Sequence, residues 1–343
     1  MRRSSPSISD VARAAGVSMG TVSNVLNGTV RVTPATRSRV EAAIRELGFV
    51  RNGVARSLAA GRSSTLGFVI IDLANSYFLD IARGAEAEAG RAGLNLLLAN
   101  SDMSEEKQRT YVDLFVEDRV AGILVAANHG STQDLRRSAP GVPLVVVDAP
   151  GDHADVCSVV PDNELGGYLA ASHLIEHGRR RLLFAGTTEL VPVRDRLLGV
   201  ERAVAEHPGV LLEVEQTGNV QVEDGRRVGD DLVLRDPRER PDAVVAAADL
   251  LALGVLQSLL LSSSLRVPDD VAIIGYDDNR AAWDSAVPLS TVRQPGEAVG
   301  REAVRLLLEE LATGPERHPH RLVTCEPRLV VRASTVGGAS AGA

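Results

Sequence analysis

From residue 66 onward, short apolar runs alternate with amphipathic stretches, and the alternation occurs twice. The first series of runs, 66–72, 94–99, 122–126, 144–148 and 156–160, is separated by helical patterns at 77–92, 105–118, 131–138 and 164–177. The second series, 181–185, 211–216, 243–247 and 271–276, carries helical patterns at 194–206, 225–234, 249–260 and 297–313. Continuous apolar runs of strand length suit strands covered on both faces. Parallel strands need crossovers, and the intervening helices supply them. The pattern predicts two doubly wound α/β subdomains with parallel sheets. Such folds bind ligands beyond the carboxyl ends of their strands or in the cleft between subdomains.

The first 50 residues follow a different rule. Ser7 is an N-cap with Asp10 in the reciprocal capping position, and Ile8, Val11, Ala12 and Ala15 form a helical stripe ended by Gly16. Ser18 caps a second helix, 19–26, facing inward through Val22, Val25 and Leu26, and Asn27-Gly28 closes it. Thr33-Pro34 opens a third helix, lined by Val40, Ile44 and Leu47 and stopped by Gly48. Residues 49–62 read as a linker with a marginal helix at 52–59. That helix is shorter than the ~12–15 residues an isolated helix needs, so it is expected to order only against a partner.

Length and charge narrow the function classes. A chain of 343 residues holds two or three domains, and 44% hydrophobic with 24% charged residues is ordinary for a soluble globular protein. The longest apolar runs, 66–71 and 243–248, fall far short of the ~20 residues a membrane span needs. The N-terminus shows no apolar signal region, which predicts a cytoplasmic protein. Cys157 and Cys325 are isolated, which suits a reducing compartment and offers no metal-ligand spacing. The net charge of −8 would argue against nucleic acid, but it is unevenly spread. Ten arginines against three acids give residues 1–62 a charge of +7, leaving 27 basic and 42 acidic residues, −15, on the rest. A basic module on an acidic body is a nucleic-acid pattern.

Enzyme motifs are weak. Gly16-Val-Ser18-Met-Gly20 spells a nucleophile elbow, but a helix precedes it where that motif needs a strand. Helix, glycine turn, serine cap, helix describes a helix-turn-helix instead. Ser104-Glu-Glu-Lys107 matches S-x-x-K without its companion boxes, and a helix cap explains it. His318-Pro-His320 reads as a surface loop. No catalytic residue, metal site or cofactor is expected. On the second helix, Met19, Gly20, Ser23 and Asn24 face outward. Asparagine can pair bidentately with adenine in the major groove, and the hydroxyls of Ser18, Thr21 and Ser23 suit phosphates.

These residues carry a resemblance. The stretch Ile8-Ser-Asp-Val-Ala-Arg-Ala-Ala-Gly-Val-Ser-Met-Gly-Thr-Val-Ser-Asn-Val-Leu-Asn27 resembles the headpiece of the lactose-repressor (LacI/GalR) family of bacterial regulators. The likeness continues at Val32-Thr-Pro-Ala-Thr-Arg37, Ile44-Arg-Glu-Leu-Gly-Phe49 and Val54-Ala-Arg-Ser-Leu58. It resumes at Val267-Pro-Asp-Asp-Val271, Ile274-Gly-Tyr-Asp277 and Leu289-Ser-Thr-Val-Arg-Gln-Pro295, covering the chain to about Thr335.

The resemblance implies a helix-turn-helix headpiece (1–48), a hinge (49–62) and an effector-binding and dimerisation body of periplasmic-binding-protein-like type (63–334). Its N-subdomain would span about 63–162 plus 292–324 and its C-subdomain about 163–291 plus 325–334, with a disordered tail at 335–343. It further implies a homodimeric regulator, a repressor by expectation, on a pseudo-palindromic double-stranded DNA operator. Ser18, Met19, Gly20, Thr21, Ser23, Asn24 and Asn27 would contact DNA from the headpiece. Val54, Ala55, Arg56 and Leu58 would do so from a hinge helix in the minor groove, with Leu58 as the wedge. In the body, Asp72, Tyr77, Phe78, Asn128, Asp148, Arg196, Asp249 and Asp277 fall on effector-binding positions, Arg196 within an R-x-x-G pattern with Gly199. Several positions depart from the family's usual residues: Arg51 for proline, Gly53 for alanine, Ala248 for asparagine and Val220 for an aromatic. A sugar effector is expected, with a nucleoside as the alternative. A solute-binding protein without a DNA role is the rival reading of the whole chain, and a hydrolase acting through Ser18 is the third.

Overall fold

The computed structural model describes residues 6–27, 30, 32–49, 63–126, 132–151, 155–315 and 317–336. The chain forms two compact units, Met1–Ser63 and Ser64–Ala343.

In the first unit, α1 (Ile8–Ala15), α2 (Met19–Asn27) and α3 (Pro34–Leu47) form where their caps place them. The Asp10 N–H donates to Ser7 Oγ at 3.3 Å, and the Ser7 N–H donates to Asp10 Oδ2 at 2.9 Å. The Ser7 hydroxyl, donating to Asp10 Oδ2 at 2.7 Å, and then the Ser7 N–H hold the Asp10 carboxyl below its usual value. Gly16 takes φ 63°, and the Val17 N–H turns back to the Ala12 carbonyl at 3.0 Å, ending α1. Ser18 Oγ accepts from the Thr21 N–H at 3.1 Å, and Thr33 Oγ1 accepts from the Thr36 N–H at 3.3 Å. The core is small: Val11, Ala12, Ala15, Val22, Val40 and Ala43 are buried, with Val25, Leu26, Ile44 and Leu47 packed partly against them. Short side chains let three short helices meet closely.

The second unit holds two six-stranded sheets. The first has the order β11-β5-β4-β3-β1-β2, built from β1 (Thr65–Ile70), β2 (Asn95–Asn100), β3 (Gly122–Ala126), β4 (Leu144–Val147), β5 (Cys157–Pro161) and β11 (Leu322–Cys325), all parallel. The second has the order β12-β10-β9-β8-β6-β7. It comprises β6 (Arg181–Gly186), β7 (Leu211–Gln216), β8 (Ala243–Ala246), β9 (Ala272–Asp277) and β10 (Ser290–Arg293), all parallel, with β12 (Arg328–Val330) antiparallel at one edge. The helices α4 (Ser76–Arg91), α5 (Glu105–Glu117), α6 (Thr132–Ser138), α7 (Asn163–Glu176), α8 (Val191–Ala205), α9 (Val222–Leu234), α10 (Asp249–Ser262), α11 (Arg280–Trp283), α12 (Gly296–Thr313) and α13 (Ala333–Val336) complete the unit. The central strands β3, β4, β8 and β9 are buried throughout, whereas the edge strands β2 and β7 are partly exposed.

The chain passes between the sheets three times: after β5, between β10 and α12, and between β11 and β12. The second passage lies later than the expected boundary near 292. Strand β10 stays in the second sheet, paired from Ser290↔Ile274 to Arg293↔Asp277. Strands β10, β11 and β12 are short and lack the continuous apolar runs that mark the other strands in the sequence. No helix among the described residues is long and apolar enough to cross a membrane.

Candidate functional site

The headpiece face proposed from the sequence is accessible. Ser18, Met19 and Gly20 are exposed at the start of α2, Met19 at 55%, and Thr21, Ser23 and Asn24 are half-buried one turn on. Val22 between them is fully buried, so α2 is anchored by one side and presents the other. The Ser18 hydroxyl lies 3.0 Å from Thr21 Oγ1 while capping α2, a structural engagement unlike that of a nucleophile with a base. The Asn27 side chain, Val54, Ala55, Arg56, Leu58 and the expected hinge helix lie outside the described residues, as does Asn128.

In the body a cavity of about 330 Å³ opens between the two sheets. Asp72, Asn75, Tyr77, Phe78, Met103 and Asp148 line it from the first subdomain. Glu189 to Val193, Arg196, Val220, Gln221, Ala248, Leu250 and Asp277 line it from the second, and Gln294 from the connection between them. Its polar groups follow strand ends, where parallel sheets leave room for side chains. Asp148 follows β4 with φ 63°, and Asp277 ends β9 with φ 108°. Non-glycine residues at such angles are strained by about 1–3 kcal/mol, and surrounding bonds must hold them there.

Those bonds are present. Tyr77 Oη donates to Asp148 Oδ1 at 3.1 Å. Asn75 Nδ2 donates to Asp277 Oδ2 at 2.9 Å, and Gln294 Nε2 donates to Asp277 Oδ1 at 2.6 Å. Arg196 donates through Nε to Asn163 Oδ1 at 2.9 Å and through Nη1 to the Ala247 carbonyl at 2.5 Å. Its Nη2 lies 4.0 Å from Asp277 Oδ1, and its guanidinium stacks 3.7 Å over the Tyr276 ring. The rigid planar fork of arginine permits these simultaneous contacts. Burial pushes the Asp148 carboxyl up to about 7, with the Arg196 charge pulling it down and Asp277 pushing it up. Asp277 is also raised by burial, against Arg196 and its two amide donors. Burial and the neighbouring Asp148 hold the Tyr77 phenol protonated, well above its usual value. Among the described residues the lining therefore presents one cation, Arg196, the buried carboxyls of Asp148 and Asp277 with those of Asp72 and Glu189 beside them, and an apolar wall from Phe78, Leu190, Val193 and Leu250.

Two sequence profiles match the chain: "Bacterial regulatory proteins, lacI family" over residues 7–52 and "Periplasmic binding protein-like domain" over 171–335. The HTH-type transcriptional repressor PurR of Vibrio parahaemolyticus is 35% identical over 334 residues, covering 95% of this chain and 97% of the relative. The chain belongs to the LacI family of bacterial regulatory proteins. Among solved structures, the lac repressor dimer bound to operator and the anti-inducer ONPF superposes with TM-score 0.81 at 28% identity, covering 98% of this chain and all of that one. A transcriptional regulator CelR–cellobiose complex superposes with TM-score 0.69 at 32% identity, covering 96% and 99%. The expected fold, a LacI-type DNA-binding headpiece followed by a periplasmic-binding-protein-like body, is the one observed.

For this LacI-family body, the structure brings Asp72, Tyr77, Phe78, Asp148, Arg196 and Asp277 to one cavity. Asp72 is the least engaged, its Oδ1 accepting from the Ala74 N–H at 2.8 Å. Asp249 does not line the cavity. Its carboxyl is fully buried, taking the Asn279 N–H at 2.6 Å and the Thr291 hydroxyl at 2.7 Å, so it ties the start of α10 to the segment after β9 and to β10. Gly275 makes room for it, since a Cβ there would stand 2.0 Å from Asp249 Oδ1. Val220 and Ala248, the departures from the family pattern, do line the cavity.

Gln294 falls within the likeness at Leu289–Pro295, and Asn75 caps α4 at the first strand-to-helix turn, beside the expected contacts Tyr77 and Phe78. Their role follows from the bonds they give Asp277 and, for Gln294, from a buried Oε1 that has no hydrogen-bond partner.

Proposed function

We propose that this LacI-family protein is a homodimeric repressor, acting in the cytoplasm, whose hold on a pseudo-palindromic operator is set by a small polar ligand in the body cavity. The observation that carries this is the cavity itself: an anchored arginine and two strained acids, contributed by both subdomains and facing one cleft. Strained residues held in place by neighbours mark sites selected for something other than stability. The headpiece contributes the DNA reader, with Met19, Gly20 and Asn24 in the positions that read bases and Ser18, Thr21 and Ser23 near phosphates. The chain acts by binding rather than catalysis.

The ligand class proposed is a sugar. Asp148, Asp277 and the unpartnered Gln294 Oε1 are acceptors, and vicinal hydroxyls are donors of matching spacing. Phe78, Leu190 and Val193 supply an apolar wall for a ring face. The CelR–cellobiose neighbour supports a sugar in a body of this fold. A second reading, a nucleoside, is favoured by Val220 and Ala248, which withhold the stacking ring and the amide that sugar-responsive members present.

A thermal-shift panel of sugars and nucleosides separates them. A true effector at 100 times its Kd stabilises the body by about 2.7 kcal/mol. It should also change operator affinity in a mobility-shift titration, and Asp277→Asn should lose both responses. A ligand that stabilises the body yet leaves operator affinity unchanged would reduce this protein to a binder without the proposed control.

A further inference from the structure

Cys157 opens β5, and His318 and His320 lie in the segment joining α12 to β11. The parallel pairing of β5 with β11, Ser158↔Leu322 and onward, brings together groups more than 160 residues apart. Cys157 Sγ lies 3.2 Å from His318 Nε2 and 3.7 Å from His320 Nδ1, and all three atoms fall within 4.8 Å of one another. Cys157 and His318 are buried and His320 is half-buried, so the surface loop expected at His318-Pro-His320 is instead folded inward. The two rings meet edge to face, with centroids 5.3 Å apart.

A thiol is a weak donor and a weak acceptor, so hydrogen bonding can seat one imidazole in each role, and what marks a metal site is the spacing of the three atoms. Around a tetrahedral zinc ion, with Zn–S about 2.3 Å and Zn–N about 2.0–2.1 Å, sulfur and nitrogen stand about 3.6 Å apart. The two observed separations bracket that value.

We propose that Cys157, His318 and His320 form a binding site for a borderline-soft transition-metal cation, zinc(II) being the ion that fits. One thiolate and two imidazoles select against magnesium and calcium, which take oxygen ligands. The site is separate from the effector cavity, because Cys157 starts its strand at the amino-terminal edge of the sheet, whereas Asp148 follows the carboxyl end of β4. Its role is structural: the ion pins the α12–β11 connection to β5.

The test uses the full chain, reduced and stripped with a chelator, and titrated with cobalt(II). A near-ultraviolet thiolate-to-cobalt charge-transfer band should saturate at one equivalent per chain and vanish when zinc(II) is added. Cys157→Ser should abolish the band, and Cys325→Ser should leave it intact. His320→Ala, at the accessible end of the cluster, should fold normally but bind at least about tenfold more weakly. It should also lose the rise in melting temperature that zinc(II) gives the unaltered chain. Absence of the band at stoichiometric cobalt(II) overturns the proposal. So does a band that survives Cys157→Ser, or an equal zinc-induced rise in His320→Ala.

Discussion

Asp148 and Asp277 face the same cavity, and among the described residues only Asp277 has a cation within ion-pairing distance. Asp277 takes Arg196 and two amide donors, whereas Asp148 has the Tyr77 hydroxyl. Burial raises both carboxyls, and it leaves Asp148 at about 7, above the ordinary carboxyl value, with Arg196 pulling it down and Asp277 pushing it up. A carboxyl raised on folding favours the folded state below its unfolded value near 4, and the advantage is lost as pH rises through the folded value. Asp148 should thus remove stability from about pH 4 to pH 7, by of order 1 kcal/mol per pH unit. Asp148→Asn keeps an acceptor for Tyr77 and cannot ionise. Its melting temperature should exceed that of the unaltered chain at pH 8 and converge with it near pH 4. A constant gap across that range, measured by calorimetry, would mean that Asp148 does not titrate there. His173 has the opposite sign: burial, then His177, holds it down to about 4, so it adds stability as pH rises toward 6.5. Taking the difference between variant and parent cancels it.

At the scale of elements, the close seating of α8 on α7 positions Arg196. A Cβ on Gly199 would stand 1.9 Å from the Glu164 carbonyl, and one on Gly167 would stand 1.9 Å from the Arg196 carbonyl. The glycine of the R-x-x-G pattern therefore lets α8 approach closely enough for its arginine to reach Asn163 on α7 and the Ala247 carbonyl after β8. Gly199→Ala should destabilise the body by about 1–3 kcal/mol, as overpacking does. It should weaken effector binding by at least about tenfold, read by calorimetric titration. Full destabilisation with unchanged affinity would mean that Arg196 is placed by something other than this packing.

The same scale explains what could be read from sequence. The headpiece helices were legible because each start has a side-chain cap and two of the ends have a left-handed glycine, both local signals. The central strands were legible as apolar runs because helices cover both faces. Strands β10, β11 and β12 were not, being three or four residues long, with polar or half-exposed positions. Asp249 shows the limit at a site. Its place at a strand-to-helix turn matches that of a ligand contact, and only the direction of its carboxyl, toward Asn279 and Thr291, assigns it to the frame. The Cys157–His318–His320 cluster was invisible for a different reason: its spacing in sequence has no period, and the β5–β11 pairing alone creates it.

At the scale of the molecule, charge and chemistry are divided between two units. The headpiece and linker carry +7 and the body −15, so the salt dependence of binding should be divided as well. Operator affinity depends on phosphate contacts and counterion release, and should fall steeply as salt rises. If the effector binds as proposed, its affinity rests on buried groups such as Arg196 and Asp277, which are poorly screened, and should change little with salt. If the two sites are coupled as proposed, the coupling is a free energy shared by both. A factor by which saturating effector changes operator affinity must equal the factor by which saturating operator changes effector affinity, with the same sign. Typical couplings of about 1–3 kcal/mol correspond to roughly 5–150-fold, well within reach of a mobility-shift assay and a calorimeter. Both measurements should use the full-length dimer at one salt concentration, with an operator selected from a random-sequence pool. Equal factors establish linkage between cavity and headpiece and give its size. Unequal factors would show that the binding seen in one assay involves a site other than this cavity. An effector that shifts neither would leave the two units independent and refute the proposed control.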